Sequence, residues 1–363
     1  MTKRAHVVSI VAGGVQIRDP ITYDISTSIT DAVDQFQMRF AFTRAAWDAL
    51  VPDRPLQVLI DGVPVLSGFI DDSDAPEDEH EIAVSGRSKI GRLVDDAAPR
   101  INFAGLGIRE TVAKLAHPFF SSVSMSNARN RAAIRGRGKK ARSSDRPRSN
   151  SRVGTRVEPG QTRWSVISDI CEQAGYLAWG AGNGTELIVG QPNYTQGVQF
   201  RFFRPAPASS RARKSSVMGM GVRRSKAERY DRVVVVGSGV GTDANYGAPV
   251  SARRGEARAP SGEFSAEKTL VVQRSVASAA EAQEFAEAEM ARRDAKGHTV
   301  PVRAEGHGQG GTLFACDTLA DVEDERTGTR GVYVISACSF SAARGEGEVT
   351  TMTLVKKGSV LSR

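Results

Sequence analysis

The chain has 363 residues, of which 40% are hydrophobic and 36 are glycine, and its formal net charge is +8. This length is enough for two or three domains with sizeable cores. The sequence has no run of 18 apolar residues and no apolar N-terminal segment followed by a cleavage site, which argues against a membrane-spanning helix or a secretory signal and predicts assembly in a cytoplasm. The three cysteines (Cys171, Cys316 and Cys338) are far apart in sequence and form no CxxC pair, so neither a disulfide framework nor a zinc site is predicted.

The first 100 residues carry strand signals. Phe36, Met38, Phe40 and Phe42 alternate with smaller or polar residues, which predicts a strand with these four side chains in the core. Further strands are predicted at 56–60 and 63–71, joined by an Asp-Gly turn, and at 81–87 after an acidic loop. Ser88 is predicted to cap a short helix that follows. The acidic run 71–79 lacks the ligand spacing and glycine turn of a calcium loop.

The next 100 residues alternate helical and strand patterns. The spacing of apolar residues within 108–120 predicts a helix that Pro118 stops. A second helix is predicted over 162–174, with Gly175 just past its end. A hairpin is predicted from 176 to 189, with a Gly-Asn-Gly turn.

The excess positive charge lies between these two helices. Residues 129–156 contain eleven Arg or Lys and one acid, Asp145, a net charge of +10, so the rest of the chain sums to −2. The segment has no apolar periodicity and cannot bury enough surface to offset the entropy of ordering, which predicts a disordered insertion over 127–156. It is either an electrostatic arm for DNA phosphates or an acidic protein, or a solvated loop. It lacks aromatic side chains on which single-stranded bases could stack.

The C-terminal part begins with a basic linker predicted over 201–229. Residues 233–241 (VVVVGSGVG) are similar to a dinucleotide-binding loop, but Thr242 stands where the last glycine is required and no helix is expected to follow. A helix is predicted over 278–296, since Ser278 and Glu281 form a capping box. Strands are predicted at 298–304, 313–322, 332–340 and 349–355, the last two as a hairpin.

No catalytic pattern is present. The five histidines form no HExxH motif and there is no G-x-S-x-G elbow. His307 lies in a glycine-rich loop and is predicted to be exposed. No carboxylate lies in an apolar sequence context that would raise its pKa. These observations predict no enzyme, no cofactor and no metal.

Three phrases carry a family resemblance. Residues 67–71 (SGFID), 84–89 (VSGRSK) and 93–98 (LVDDAA) resemble the first β domain of the baseplate hub protein of Mu-like contractile-tailed phages, a family related to late control D proteins and distantly to the hub part of type VI secretion spikes. The resemblance implies a mainly β fold with α+β insertions. It implies two tail-tube-like β-barrel or sandwich domains, 1–100 and 230–363, and a small helix-hairpin middle domain over 101–200.

The same resemblance implies a structural role in the virion baseplate. Three copies would form a ring that adapts the six-fold tail tube to the three-fold spike and encloses part of the channel for DNA and the tape-measure protein. Expected partners are the chain itself, the spike, tube, wedge and tape-measure proteins, without membrane insertion. The alternative is a nucleic-acid-binding or cell-wall-acting module of a tail particle. The candidate contact residues are Arg135, Arg137, Lys139, Lys140 and Arg142 in the basic insertion, with Arg87 and Lys89 near the first helix.

Overall fold

The computed structural model describes residues 6–77, 80–100, 103, 106–126, 157, 159–206, 214–238, 253–259, 266–276, 278–343 and 347–357. Over these residues the chain is mainly β, as predicted, with 22 strands and five helices. In this part of the chain no helix is both long enough and apolar enough to cross a membrane.

The first β unit contains seven strands in the spatial order β3-β4-β7-β6-β5-β1-β2 and one helix, α1 (Arg44–Ala49). Its strands are β1 (Val8–Ala12), β2 (Val15–Arg18), β3 (Thr22–Ser28), β4 (Gln35–Ala41), β5 (Pro55–Ile60), β6 (Val63–Asp74) and β7 (Glu81–Ser88). The alternation along β4 is confirmed for Phe36, Met38 and Phe40, which are buried. It is wrong for Phe42, which is 45% exposed, because β4 ends at Ala41 and the chain turns into α1 there.

Two details of this unit differ from the predictions. β6 runs on to Asp74, because a bulge between Ile70 and Asp72 lets the acidic residues continue the pairing with β7. The prediction that Ser88 caps a helix is wrong. Ser88 is the last residue of β7, and its hydroxyl accepts a hydrogen bond from the Asp34 N–H at 3.2 Å. Helix α2 (Ile90–Asp95) then begins without a side-chain cap.

The middle unit packs helices against a three-stranded sheet. Its other elements are α3 (Ile108–Ala116), β8 (Ser122–Ser126), α4 (Arg163–Gln173), β9 (Leu177–Gly180) and β10 (Glu186–Gly190). The predicted helices and hairpin are confirmed; the Thr162 hydroxyl caps α4, and Gly175 has φ +71° at its end. Strand β8 pairs in parallel with β10 and was missed, since a five-residue edge strand has little sequence signal of its own. Leu115, Ile167 and Leu187 are fully buried in this unit's core.

The C-terminal part contains twelve strands and one helix. They are β11 (Val198–Arg204), β12 (Gly219–Met220), β13 (Arg223–Arg224), β14 (Arg232–Ser238), β15 (Arg253–Arg258), β16 (Thr269–Ser275), α5 (Ala279–Gly297), β17 (His298–Glu305), β18 (Gly308–Gln309), β19 (Thr312–Leu313), β20 (Leu319–Asp324), β21 (Thr329–Ala342) and β22 (Glu348–Lys356). Helix α5 begins as predicted, with the Ser278 hydroxyl accepting from the Glu281 N–H. It packs on the small sheet β15-β14-β16, which together we call the small layer.

The stretch 201–229 is not a linker along its whole length. β11 pairs in parallel with β20, and β12 and β13 pair with β17. The hydrophobic effect explains this pairing. Phe200, Phe202 and Phe203 are buried, so the chain is fixed to the sheet before it reaches the basic residues that follow. Strands β11 to β13, β17 and β20 to β22 make up the second β unit.

The two β units share one sheet. β21 pairs antiparallel with β3, with Ala337–Ala342 opposite Ser28–Tyr23. The main path of the resulting 14-stranded sheet runs β12-β17-β22-β21-β3-β4-β7-β6-β5-β1-β2. One apolar cluster joins them, since Phe36 and Phe40 of the first unit and Phe202 and Phe340 of the second belong to the same core. The pairing of β3 with β21 is called the seam below.

Candidate functional surface: the polar face of the shared sheet

The side of the shared sheet that points away from the core is polar across the seam. Strand pairing aligns two rows of side chains on this side. The first row is Arg303, Thr351, Ser339, Ser26, Gln35 and Arg87, and the second is Glu305, Val349, Ser341, Asp24, Gln37 and Ser85. Neither row contains an aromatic side chain. Because successive residues of a strand point to opposite faces, the buried aromatic residues of β4 and β21 lie on the other side.

An open cavity of about 540 Å³ lies on this polar face and spans both β units. Its charged lining residues are Asp24, Arg39, Asp72, Asp74 and Arg303. The hydroxyl and carboxylate groups offer many similar hydrogen-bonding positions and no deep apolar pocket that would hold one ligand. Within the described residues, no three His, Cys, Asp or Glu side chains come together as a metal site.

Behind this face, a buried polar cluster ties the two β units together. The prediction that His307 is exposed is wrong, because its exposed fraction is 0%. The Tyr23 hydroxyl lies 2.5 Å from Nε2 of His307, and Thr350 Oγ1 lies 2.9 Å from Nδ1. The Thr350 hydroxyl donates to the Gly306 carbonyl at 2.7 Å, so it accepts from Nδ1–H. In the neutral imidazole, Nε2 then accepts from Tyr23.

The same cluster fixes the start of β1. The His6 ring stacks on His307 with centroids 5.2 Å apart, and the His6 N–H donates to Glu348 Oε2 at 3.1 Å. Nδ1 of His6 lies 2.6 Å from Asp61 Oδ2. Burial opposes ionisation of Asp61, but hydrogen bonds from His6 and from the Val7 N–H hold its pKa below the usual value. These contacts join β1 and the β5–β6 turn of the first unit to β22.

The hairpin of the middle unit docks on β6 through its glycine turn. The Ser67 hydroxyl donates to the Gly182 carbonyl at 2.8 Å. A Cβ on Gly182 would lie 2.8 Å from the Pro64 carbonyl oxygen, and a Cβ on Gly184 would lie 2.4 Å from Ser67 Cβ. Both positions therefore require glycine for close approach, and Gly184 also has φ +66°.

Helix α5 is held to the middle unit by a buried ion pair network. Arg292 NH1 donates to Glu172 on α4 at 2.7 Å, and the same guanidinium pairs with Glu289. Arg293 Nε donates to Glu289 at 2.9 Å. Burial of Glu289 favours its neutral form, but Arg292 and Arg293 together keep its pKa below the usual value. The network couples the small layer to the middle unit.

The two predicted contact residues outside the basic insertion, Arg87 and Lys89, lie within the protein where β7 leads into α2. Arg87 pairs with Asp71 at 2.7 Å and with Asp95 at 2.8 Å, and these carboxylates raise the pKa of its guanidinium. Burial lowers the pKa of Lys89, whose Cε would lie 3.4 Å from a Cβ on Gly184. Residues 135, 137, 139, 140 and 142 lie outside the described residues, so their predicted role stays a prediction.

Two carboxylates with raised pKa values were missed. Burial raises the pKa of Asp34 to about 7, even though its carboxylate accepts the Ser28 N–H at 2.9 Å. Burial also raises the pKa of Asp317 to about 6, despite a hydrogen bond from the Asn193 N–H at 2.7 Å. The prediction that no carboxylate is tuned upward is therefore wrong. Both lie in short connections whose neighbours come from distant parts of the sequence, so the local sequence gives no signal.

No family model and no curated protein matches the chain. Solved structures do match over 98% of its length. A tail protein from Neisseria meningitidis MC58 has a TM-score of 0.75 and 21% identity, covering 98% of both chains. The 43 kDa tail protein of prophage MuSo2 from Shewanella oneidensis has a TM-score of 0.70 and 18% identity, covering 98% of this chain and 100% of its own. The chain has a phage tail protein fold.

This tail protein fold extends beyond phages. A component of the type VI secretion system of E. coli, described as similar in structure to T4 bacteriophage tail proteins, has a TM-score of 0.52 and 11% identity over 98% of this chain and 78% of its own. The resemblance to the Mu-like hub and its secretion relatives is thus confirmed at the level of the fold. The mainly β class with its helix-containing middle part is confirmed too.

Proposed function

We propose that this chain is a structural baseplate hub protein of a contractile phage tail, located in the virion after assembly in the host cytoplasm. The observation that carries the proposal is the likeness to two tail proteins, one of them from a prophage, over at least 98% of each chain. The absence of a nucleophile, base or metal motif in the sequence agrees with a role without a chemical step.

In this proposal three copies close into a ring. Each chain supplies two β units, the domains expected to be tube-like, so a trimer presents six of them to the six-fold tube while keeping three-fold symmetry for the spike. The shared sheet supports this arrangement, because the seam holds both units of one chain in a fixed relation. The spike, tube, wedge and tape-measure proteins are the proposed partners.

The polar face of the shared sheet is the proposed channel wall. Its hydroxyl and amide groups are hydrophilic, and two of its guanidinium groups are compensated: Arg87 pairs with Asp71 and Asp95, and Arg39 lies 3.7 Å from Glu81. Such a wall would not bind phosphates tightly, because DNA affinity depends on cations that are free to replace counterions. DNA and the tape-measure protein would pass without being held.

Light scattering of the purified protein, alone and with the tube and spike proteins, tests the ring. A trimer of about 117 kDa, three times the mass of 38.9 kDa, is expected. A monomer that persists with both partners would exclude the ring-forming hub.

A labelling experiment tests the channel wall separately. A cysteine placed at Gln37, on the polar face, should react with a small maleimide but not with a bulky polymer-linked maleimide once the ring forms. A cysteine at Val271, which is 63% exposed on the small layer, is the matched control and should react with both. Equal reaction of the bulky reagent at both positions in a confirmed trimer would refute the assignment of this face.

The second candidate is a nucleic-acid-binding or cell-wall-acting module that uses the basic insertion, favoured by its eleven cationic residues. DNA binding by this segment should weaken steeply as salt rises. Deleting residues 129–152 should abolish such binding and leave the oligomer intact. Loss of the oligomer would instead make the insertion an assembly element.

A further inference from the structure

Two of the three cysteines, 22 residues apart in sequence, meet at the seam. Cys338 lies on β21 directly opposite Thr27 of β3. The loop between β19 and β20 lies against the paired residues Cys338 and Thr27. Its Asp317 N–H donates to the Ile335 carbonyl at 3.0 Å. That loop places the Cys316 thiol 3.4 Å from the carbonyl oxygen and 3.5 Å from the hydroxyl of Thr27.

The two thiols also lie next to the same residue. Cys316 packs against the apolar cluster that contains Cys338, and its thiol contacts Thr27, the residue that pairs with Cys338 across the seam. Cys316 is half-buried and accessible to a small reagent, whereas Cys338 is 2% exposed. One thiol can thus react with an oxidant from solution, and the other lies beside it within the core.

We propose that Cys316 and Cys338 form an intramolecular disulfide under oxidising conditions, which locks the β19–β20 loop over the seam. This inference does not depend on the proposed function. With oxidised glutathione as oxidant, the Cys316 thiolate attacks one sulfur and releases one glutathione thiolate, which takes up a proton. The Cys338 thiolate then attacks the Cys316 sulfur of the mixed disulfide and releases the second glutathione. Two protein thiols are oxidised and one glutathione disulfide is reduced to two thiols.

The movement falls on the loop. The sulfurs must approach to about 2.05 Å, and Cys316 lies in a connecting loop that can adjust more easily than a strand. The second step is slow near neutral pH, because the contact with Cys316 and burial raise the pKa of the Cys338 thiol. Oxidising surroundings, such as the outside of a cell, favour the closed form.

Cys171 provides an internal control. It lies in the core of the middle unit, whose cluster contains no second cysteine, and burial raises the pKa of its thiol to about 12. It should stay reduced under conditions that oxidise the other two.

In the test, the full chain is exposed to excess oxidised glutathione at mildly alkaline pH. It is then denatured in the presence of a maleimide, and the masses of the products are measured. The number of alkylated thiols should fall from three to one, and a non-reducing peptide map should show Cys316 linked to Cys338, lighter by two hydrogen atoms. Cys171→Ser should fall from two alkylated thiols to none. Cys316→Ser and Cys338→Ser should show no internal cross-link.

A thermal scan gives a second measure on the wild-type protein alone. Closing a loop of this length should raise the melting temperature by about 4 °C, reversibly on adding a reductant. Three alkylated thiols after prolonged exposure, a glutathione adduct that stays on Cys316, or a cross-link that contains Cys171 would each overturn the proposal.

Discussion

Replacing Gly184 with alanine tests how the middle unit docks on the first β unit. Gly184 has φ +66°, and its new Cβ would lie 2.4 Å from Ser67 Cβ and 3.1 Å from Ser67 Oγ. Alanine in this left-handed conformation costs about 1 kcal/mol. The overlap with β6 adds about 1–3 kcal/mol, because either the hairpin or the strand must shift. We therefore expect the free energy of unfolding to fall by about 2–4 kcal/mol.

The matched control is Gly328→Ala. Gly328 has nearly the same φ, +69°, with nothing within 4 Å of the added Cβ, so only the conformational cost of about 1 kcal/mol applies. Urea unfolding followed by tryptophan fluorescence measures both, since Trp179 is buried on the adjacent strand β9. Adding Ser67→Gly to Gly184→Ala should recover part of the loss by removing the other half of the overlap. Equal losses in Gly184→Ala and Gly328→Ala would refute the docking argument.

Three further predictions concern the buried polar groups. The pKa of Asp34 rises from 3.8 to about 7 on folding, so the folded state binds the proton more tightly and stability falls as pH increases across that window. Because the Asp34 side chain is only half-buried, we expect the loss of unfolding free energy to be about 2–4 kcal/mol. Asp34→Asn should be more stable than the wild type by this amount at pH 8 and equally stable near pH 4. A stability difference that does not change with pH in urea titrations would contradict this. Arg292→Met should lower the free energy of unfolding by about 3 kcal/mol, because the buried Glu289 carboxylate then lacks one of its two cationic partners. The double variant Arg292→Met with Glu289→Met should recover much of this loss in thermal scans. Tyr23→Phe removes the hydroxyl bonded to His307 and should cost about 1–2 kcal/mol in urea unfolding, whereas an unchanged midpoint would mean that the cluster adds nothing to the seam.

Local sequence signals predicted the elements that carry a regular apolar alternation or a capping motif in their own residues. The alternation of Phe36, Met38 and Phe40 marks one face of a strand, and the Ser278 cap marks the start of α5. The resemblance phrases also have a structural basis. Gly68 and Gly86 lie within them, and a Cβ on either would lie about 2 Å from a carbonyl oxygen of the facing strand. These glycines let β6 and β7 approach closely at the bulge, so the phrases reflect a backbone requirement.

What the sequence did not predict depends on contacts between distant residues. His307 is buried by Tyr23 of β3 and Thr350 of β22, and a glycine-rich loop contains no trace of either partner. The backbone N–H of Asp34 is bonded to Ser88, 54 residues later in the chain, and the two seam cysteines approach because β21 pairs with β3 and the β19–β20 loop contacts Thr27. The candidate surface was missed for the same reason. Its rows are assembled from strands that start at residue 22 and end at residue 356.

The seam also constrains how the protein is made. β3 is synthesised about 300 residues before β21, the strand that completes its hydrogen bonds. At a translation rate of about 5–20 residues per second, the edge of β3 stays open for roughly 15–60 s while the rest of the chain emerges. An open strand edge is a site where another chain can pair and aggregate. The alternate residues Asp24, Ser26 and Ser28 make one side of that waiting edge hydrophilic, and polar and charged side chains are among the features that disfavour pairing of an open edge with another chain.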